Sequence, residues 1–169
     1  MYLMMKYKDF TLKARLYDKD GIHEKLTQLG FKYDGEDYQQ DYYFKTPKGK
    51  LKYRKGKNST LIAHYERVQL NNIEKTVVYR YEVNPSELQI QYLFSSKVLL
   101  VKHKKNRKLY LSKNVSIHID ELSKEEIYIE IEAKDFNENY TELELQNQCK
   151  SIFNELGIIK SNLIKTGYI

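Results

Sequence analysis

Ser116–Glu132 reads SIHIDELSKEEIYIEIE, and its alternation decides the fold. Ile117 and Ile119 alternate with Ser116, His118 and Asp120. After a turn, Ile127, Ile129 and Ile131 alternate with Tyr128, Glu130 and Glu132. Period-two alternation of β-branched residues marks strands with two different faces. Asp120, Glu130 and Glu132 then project from one side of a sheet. Acids two apart on a strand repel each other unless a cation or basic groups lie between them. This face is therefore expected to help line a site for metal ions and a phosphorylated ligand.

Moving outward, the same pattern recurs. Residues 6–16 alternate, with Asp9, Thr11, Lys13 and Arg15 on one face and Phe10, Leu12, Ala14 and Leu16 on the other. Residues 38–46 place Gln39, Asp41 and Tyr43 together, and Pro47-Lys48-Gly49 turns the chain. Lys50–Lys55 puts Lys52 beside Arg54; Leu61–Val68 puts Tyr65 beside Arg67; residues 75–83 align Val78, Arg80 and Glu82. Val98–Lys105 and Arg107–Ser112 read as two further strands. Helices are expected after Asp18 or Asp20, after Asn84-Pro85 with Asn84 as cap, and from the capping box Thr141/Glu144 onward. The last of these carries Leu145, Cys149, Ile152, Phe153 and Leu156 at helical spacing. About eight strands with short turns imply an antiparallel sheet that closes. The apolar face needs a cover, which amphipathic helices outside would supply, so the charged face lines a wet interior. The fold class expected is α+β: a closed or nearly closed antiparallel eight-stranded tunnel barrel, one domain over residues 1–169.

Bulk properties agree. The 169 residues carry 31% charged and 41% apolar side chains. No apolar run approaches the ~20 residues of a membrane span, and MYLMM at the start is too short for a signal peptide. A cytoplasmic protein without a membrane partner is expected, and the single Cys149 excludes an internal disulfide. The net charge of +6 points to an anionic partner. Its distribution is more telling. Seven Lys and Arg residues lie between Asp41 and Glu66, and seven more in 96–113, with no acid in either stretch; residues 120–145 hold ten acids and two lysines. A surface for nucleic acid is usually basic without a paired-acid strand set against it, so no nucleic-acid partner is expected. Taken singly, a lysine-rich strand is more often a solvated sheet face, and the arginines could serve structural ion pairs. His118 reads as a packed or hydrogen-bonded histidine, and Cys149 as core.

Several segments, in order, resemble the CYTH superfamily, the triphosphate tunnel metalloenzymes. Gln39 to Phe44 is similar to the family's Q-x-D-x-Y-F segment, and Leu51-Lys52-Tyr53-Arg54 to its L-R-x-R strand. Tyr65-Glu66-Arg67, Lys105–Tyr110, Ile117–Leu122, Glu130-Ile131-Glu132 and Thr166-Gly167-Tyr168 resemble further motifs. The name-giving E-x-E-x-K reads Asp9-Phe10-Thr11-Leu12-Lys13: the lysine is kept, the first acid is shortened and the second has become Thr11.

The resemblance implies a metal-dependent phosphohydrolase acting on an inorganic, thiamine or nucleoside triphosphate. It implies phosphate binding by Lys13, Lys52, Arg54, Arg67, Arg80, Lys105 and Arg107, and Mg²⁺ or Mn²⁺ held by Asp9, Asp120, Glu130 and Glu132. Lys13 is the implied catalytic residue. Arginine forks onto phosphate oxygens, and hard cations take carboxylate and phosphate oxygens together. The alternatives are a class IV-type adenylyl cyclase and a non-catalytic polyphosphate-binding module, the latter because of Thr11. A homodimer is compatible with all three.

Overall fold

The computed structural model describes residues 7–165; the MYLMM opening and the Thr166-Gly167-Tyr168 motif lie outside them. In chain order the elements are β1 (Lys8–Arg15), α1 (Ile22–Gln28), β2 (Lys32–Phe44), β3 (Lys50–Lys55), β4 (Thr60–Leu70) and β5 (Ile73–Val83). Then follow α2 (Glu87–Ser96), β6 (Leu99–Ser112), β7 (Val115–Glu121), β8 (Ile127–Asp135), α3 (Glu142–Glu155) and the two-residue β9 (Leu163–Ile164).

Two antiparallel meanders, β2 to β5 and β6 to β8, are joined along a long β2–β6 ladder. β1 pairs with β8 over its whole length and closes the ring against β5 at Phe10↔Lys75 and Thr11↔Glu74. Beyond Thr11 there is no further β5, which begins at Ile73, and β9 takes up the same edge of β1 at Lys13↔Ile164 and Ala14↔Leu163. The expected closed eight-stranded antiparallel barrel is present, with one extra strand and three helices. Among the described residues no helix is long and apolar enough to cross a membrane.

The barrel is apolar outside and polar inside. Phe10, Leu12 and Ala14 of β1, Ile117 and Ile119 of β7, and Ile129, Ile131 and Ala133 of β8 form one buried layer. Ile22 and Leu26 of α1 and Leu145, Cys149 and Phe153 of α3 cover it. Each large side chain so covered contributes about 1.5–3 kcal/mol. This layer is the reason the alternation runs so regularly along β1, β7 and β8: every second residue must be apolar to meet a helix. On the other side Phe44, Leu51, Tyr53 and Ile62 pack under Leu93 of α2. Phe94 stands edge-on to Phe44, Tyr53 and Tyr42 with ring centroids 5.0, 5.7 and 5.3 Å apart.

Several local expectations are corrected. β2 begins six residues earlier than its Tyr38 start, at Lys32, and the two strands read in 98–112 are the single β6, because the β2 ladder runs on past Lys105. α1 is entered through Gly21 at φ 79° and not capped by Asp18 or Asp20. α2 is capped by Ser86, whose hydroxyl accepts from Gln89 N while the Gln89 side chain returns to Ser86 N. Asn84 lies outside the helix at φ 52°, and its Oδ1 accepts from Thr60 N. The α3 capping box of Thr141 and Glu144 is as expected. Gly49 closes the β2–β3 hairpin at φ 67°, where a Cβ would run into the carbonyl of Tyr65.

A basic tunnel with a carboxylate pair

The inward faces enclose a cavity of about 240 Å³. Eight cations line it, Lys13, Lys50, Lys52, Arg54, Arg67, Lys105, Arg107 and Lys134, against three carboxylates, Asp9, Glu130 and Glu132. Cross-strand register gathers them. Thr11 faces Glu132 and Lys13 faces Glu130 across β1–β8, His118 faces Glu130 across β7–β8, and Arg107 faces Asp120 across β6–β7.

On one wall two arginines are held as forks. Arg54 Nε and Nη2 donate to the two oxygens of Asp41 at 2.7 and 2.8 Å. Arg107 Nε and Nη2 donate to those of Asp120 at 2.6 and 2.7 Å. Lys105 lies between, 3.6 Å from Asp41 and 3.4 Å from Asp120. Burial pushes both carboxyls up, but the neighbouring guanidinium and ammonium groups hold Asp41 and Asp120 well below the usual range. Bidentate pairs of this kind fix the guanidinium plane.

Asp120 is fully buried and does not reach the cavity surface. Its carboxylate orients Arg107. Asp41, which the alternation placed on the same face as Gln39 and Tyr43, does the same for Arg54.

The acids of β1 and β8 form a second group. Asp9 accepts from Tyr7 Oη at 2.6 Å and from Thr11 Oγ1 at 3.3 Å. Burial, the charge of Glu132 and a hydrogen bond to Glu132 raise Asp9 well above the ordinary carboxyl range. Burial pushes Glu132 up too, but Lys134 at 3.0 Å and the bond from Asp9 bring it down to about 2. The two neighbouring carboxyls are thus drawn in opposite directions, Asp9 toward its protonated form and Glu132 toward its ionised one. Glu130 meets Lys13 at 3.1 Å, Arg67 at 3.8 Å and His118 Nδ1 at 3.4 Å. Lys13 and Arg67 hold it ionised against its burial.

Two adjacent hard-oxygen donors suit a divalent cation, whose charge would favour the ionised form of both. Among the described residues, no group of three or more His, Cys, Asp and Glu side chains is placed to hold a metal by itself. The four predicted ligands do not converge. Asp9 and Glu132 stand together, Glu130 is engaged by cations, and Asp120 sits behind Arg107.

Of the predicted phosphate binders, Lys13, Lys52, Arg54, Arg67, Lys105 and Arg107 all line the tunnel. Arg80 does not. The β4–β5 ladder pairs His64 with Arg80 but Tyr65 with Val78, so Tyr79 is an extra residue. This β-bulge reverses the phase of the strand beyond it and turns Arg80 outward, where it pairs with Glu82 at 3.0 Å. Strict alternation cannot register one inserted residue.

Sequence reasoning passed over Lys50 and Lys134, although each is two residues from a predicted site residue and hence on the same face. It also passed over Glu74, which meets Arg67 at 3.3 Å beside the seam, opposite Thr11. Tyr7, Tyr43, Tyr65 and Tyr81 are in the wall as well. Their alternation carried no signal that distinguished them from packing tyrosines.

The lysines are crowded. Burial first, then the charge of Arg54, pushes Lys52 well below its ordinary value, and burial lowers Lys13 and Lys50. Lys105 falls to about 7 through burial and the charge of Arg107. An unfolded lysine keeps its proton to about pH 10.4. Between about 7 and 10 the unfolded chain thus binds more protons, so this group makes the empty protein more stable as pH rises through that window. A bound polyanion favours the ammonium form and opposes that trend. Tripolyphosphate should therefore raise the melting temperature of the wild type more at pH 6.5 than at pH 8.5, relative to a Lys105→Met variant. The comparison with Lys105→Met cancels the ligand's own titration. Identical pH profiles for the two proteins would show that Lys105 does not titrate in the tunnel.

A barrel with an apolar exterior under helices and a cation-lined interior defines a tunnel-type protein. The chain belongs to the CYTH domain family, whose model matches residues 11–168. It is similar in fold to the PH1012 protein of Pyrococcus horikoshii OT3, with a TM-score of 0.79 and 22% identity over 95% of this chain and 96% of that one. It is also similar to a candidate adenylate cyclase from Vibrio parahaemolyticus (TM-score 0.72, 13% identity, 95% and 94% covered). A third similar structure is the candidate adenylyl cyclase HpAC1 from Hippeastrum, for which a dominant triphosphatase activity is reported (0.61, 13%, 95% and 92%). No curated protein matches the chain.

Proposed function

We propose that the protein is a divalent-metal-dependent triphosphatase. The observation that carries this is the excess of cationic side chains lining the cavity, eight against three carboxylates, with four lysines held below their ordinary values. Such a site is electrostatically incomplete until a polyanion enters. Arg54 and Arg107, oriented from behind by Asp41 and Asp120, would fork onto phosphate oxygens, with Lys52, Lys105 and Arg67 neutralising the chain.

Asp9 and Glu132 would hold Mg²⁺ or Mn²⁺, the hard cations this family generally uses, and the bound ion would polarise a phosphoryl group. Lys13, at 3.1 Å from Glu130, would touch the reacting phosphate and hold or take a proton at Nζ. Water is the acceptor that needs no further pocket, which favours hydrolysis over cyclisation. A malachite-green phosphate assay with Mg²⁺ or Mn²⁺ against tripolyphosphate, thiamine triphosphate and ATP tests this directly. Release of phosphate from at least one is expected; no release from any would overturn the enzymatic assignment.

A second reading, binding without turnover, has one specific observation behind it. Thr11, fully buried between Asp9, Glu74 and Glu132, occupies the position of the second acid of the family motif. Thr11→Glu should raise Mn²⁺ affinity at least about tenfold, because a third carboxylate joins a two-carboxylate site. It should also lower the melting temperature of the metal-free protein, because like charges crowd there. Calorimetric titration with Mn²⁺ and metal-free melts check both. Unchanged affinity would remove Thr11 from the metal site.

A further inference from the structure

We infer that a second anion site lies outside the barrel wall, between α3, the tip of the β4–β5 hairpin and β9, and that it takes the orthophosphate leaving the tunnel. The inference rests on the triphosphatase reading and adds a product route to it. The site is a cavity of about 520 Å³. Four lysines line it, Lys13, Lys150, Lys160 and Lys165, against the single carboxylate of Glu74. That carboxylate is already taken by Arg67 at 3.3 Å and Gln69 at 3.0 Å. Among the described residues, the ammonium groups of Lys150, Lys160 and Lys165 have no ion-pair partner. Lys150 is half-buried on α3, where an uncompensated charge is costly.

The cavity crosses the wall. Leu12 and Phe153 belong to the apolar layer outside the barrel, and Thr11 and Lys13 to the inner face of β1, yet all four line this one space. The crossing lies where β1 changes partner. Its ladder with β5 ends at Thr11↔Glu74, its ladder with β9 starts at Lys13↔Ile164, and Leu12 is left between them. Side chains close the gap. Arg67, on the tunnel side, donates to Glu74, and Gln69 Nε2 bridges Glu74 and the carbonyl of Lys165 at 3.0 Å each. Side chains change rotamer far faster than a strand ladder opens. Lys13 lines both spaces.

Lys13 is the residue proposed to touch the reacting phosphate, so orthophosphate is released beside the crossing. A cleft lined by charges of one sign concentrates ions of the other. Asn71, Asn72 and Asn154 bring amide donors to the same space. Lysine holds phosphate as a point charge, without the bidentate geometry of the Arg54 and Arg107 forks. The outer site therefore binds weakly and returns the ion to solvent, while a longer phosphate chain stays with the arginines.

The test has two arms, each run on the wild type and on the double variant Lys150→Glu, Lys160→Glu. In the first, isotope-labelled protein in EDTA, with one equivalent of tripolyphosphate in the tunnel, is titrated with inorganic phosphate and followed by NMR. The amide signals of Asn71, Asn72 and Asn154 should shift, and the variant should lose at least about fivefold in that affinity, the scale of two exposed charge contacts. Its tripolyphosphate affinity should stay within about twofold, which also reports that it is folded. In the second arm, single turnover of tripolyphosphate with Mg²⁺ is followed with a fluorescent phosphate sensor. The variant should release phosphate at least about threefold more slowly than the wild type, with cleavage unchanged. No shift at the three asparagines, or equal affinity in the variant, would overturn the site. Affinity lost in the variant with release unchanged would show a pocket filled from solution only and overturn the product route. Absence of cleavage in the wild type would overturn the triphosphatase reading and the route with it, while the titration in EDTA still decides whether the site exists.

Discussion

Arg107→Ala is expected to cost about 3–5 kcal/mol of stability, the scale of breaking a buried ion pair from one side, and to weaken triphosphate binding at least about tenfold through loss of a bidentate contact. Asp120 is 0% exposed, and Arg107 supplies a donor to each of its oxygens at 2.6 and 2.7 Å. Lys105 remains at 3.4 Å but is shared with Asp41 and is itself held at a pKa of about 7. Removing the guanidinium therefore takes the two shortest bonds from a buried carboxylate. For a chain of this size each kcal/mol moves the melting point by about 2–4 °C, so a drop of about 10 °C is expected in a thermal melt.

The double variant Arg107→Met, Asp120→Leu separates the two roles. Replacing both partners by apolar groups should recover most of the stability, since the buried charge is gone. It should not recover binding, since the phosphate fork is gone too. A single Arg107→Ala variant that melts within a degree of the wild type would refute the account of Asp120 as a fully buried partner.

Lys13→Met is expected to lower kcat for triphosphate hydrolysis by at least about 100-fold, the lower range for a lost proton-transfer or positioning group. Tripolyphosphate affinity should fall about tenfold or less, because Lys52, Arg54, Arg67, Lys105 and Arg107 remain. The variant should fold, because Glu130 keeps Arg67 at 3.8 Å and His118 at 3.4 Å. Burial lowers the Lys13 pKa, so its neutral form becomes available at lower pH than for a free lysine. If that form takes the proton of water, the wild-type rate rises with pH until Lys13 is deprotonated. Lys13→Arg, which keeps the charge but not the titration, should lose that rise. Steady-state kinetics between pH 6 and 10 check this. A Lys13→Met enzyme within threefold of the wild type would exclude Lys13 from the chemistry.

The arrangement as a whole uses ionic groups in two layers. The front layer, Lys13, Lys52, Arg54, Arg67, Lys105 and Arg107, lines the cavity. Asp41 and Asp120 behind it, with Glu130 beside it, lower the cost of holding those cations together and fix their directions. Asp9 and Glu132 both line the cavity and stand together, which makes them the proposed place for a cation. Of the four acids expected to bind metal, two therefore do so in the proposed mechanism and two position cations instead.

Much of this was legible along the chain because a strand has an exact two-residue period. Alternation in Ser116–Glu132, in β1 and in Lys50–Lys55 assigned the inward residues, and the apolar opposite face required helices outside and hence a polar tunnel. Family resemblance, carried by motifs spread over most of the chain, pointed to the same barrel and ligand class. Tertiary structure decided what period alone cannot express. It closed β1 on β5 and set Glu74 beside Thr11, a contact between strands some sixty residues apart. It inserted one residue at Tyr79, which turned Arg80 out and Tyr81 in. It brought both oxygens of the buried Asp120 onto the Arg107 guanidinium. Away from that bulge, the sequence by itself determined which side chains face inward, since that follows from local geometry. Which of them face one another depends on register, bulges and closure, which only the folded barrel fixes.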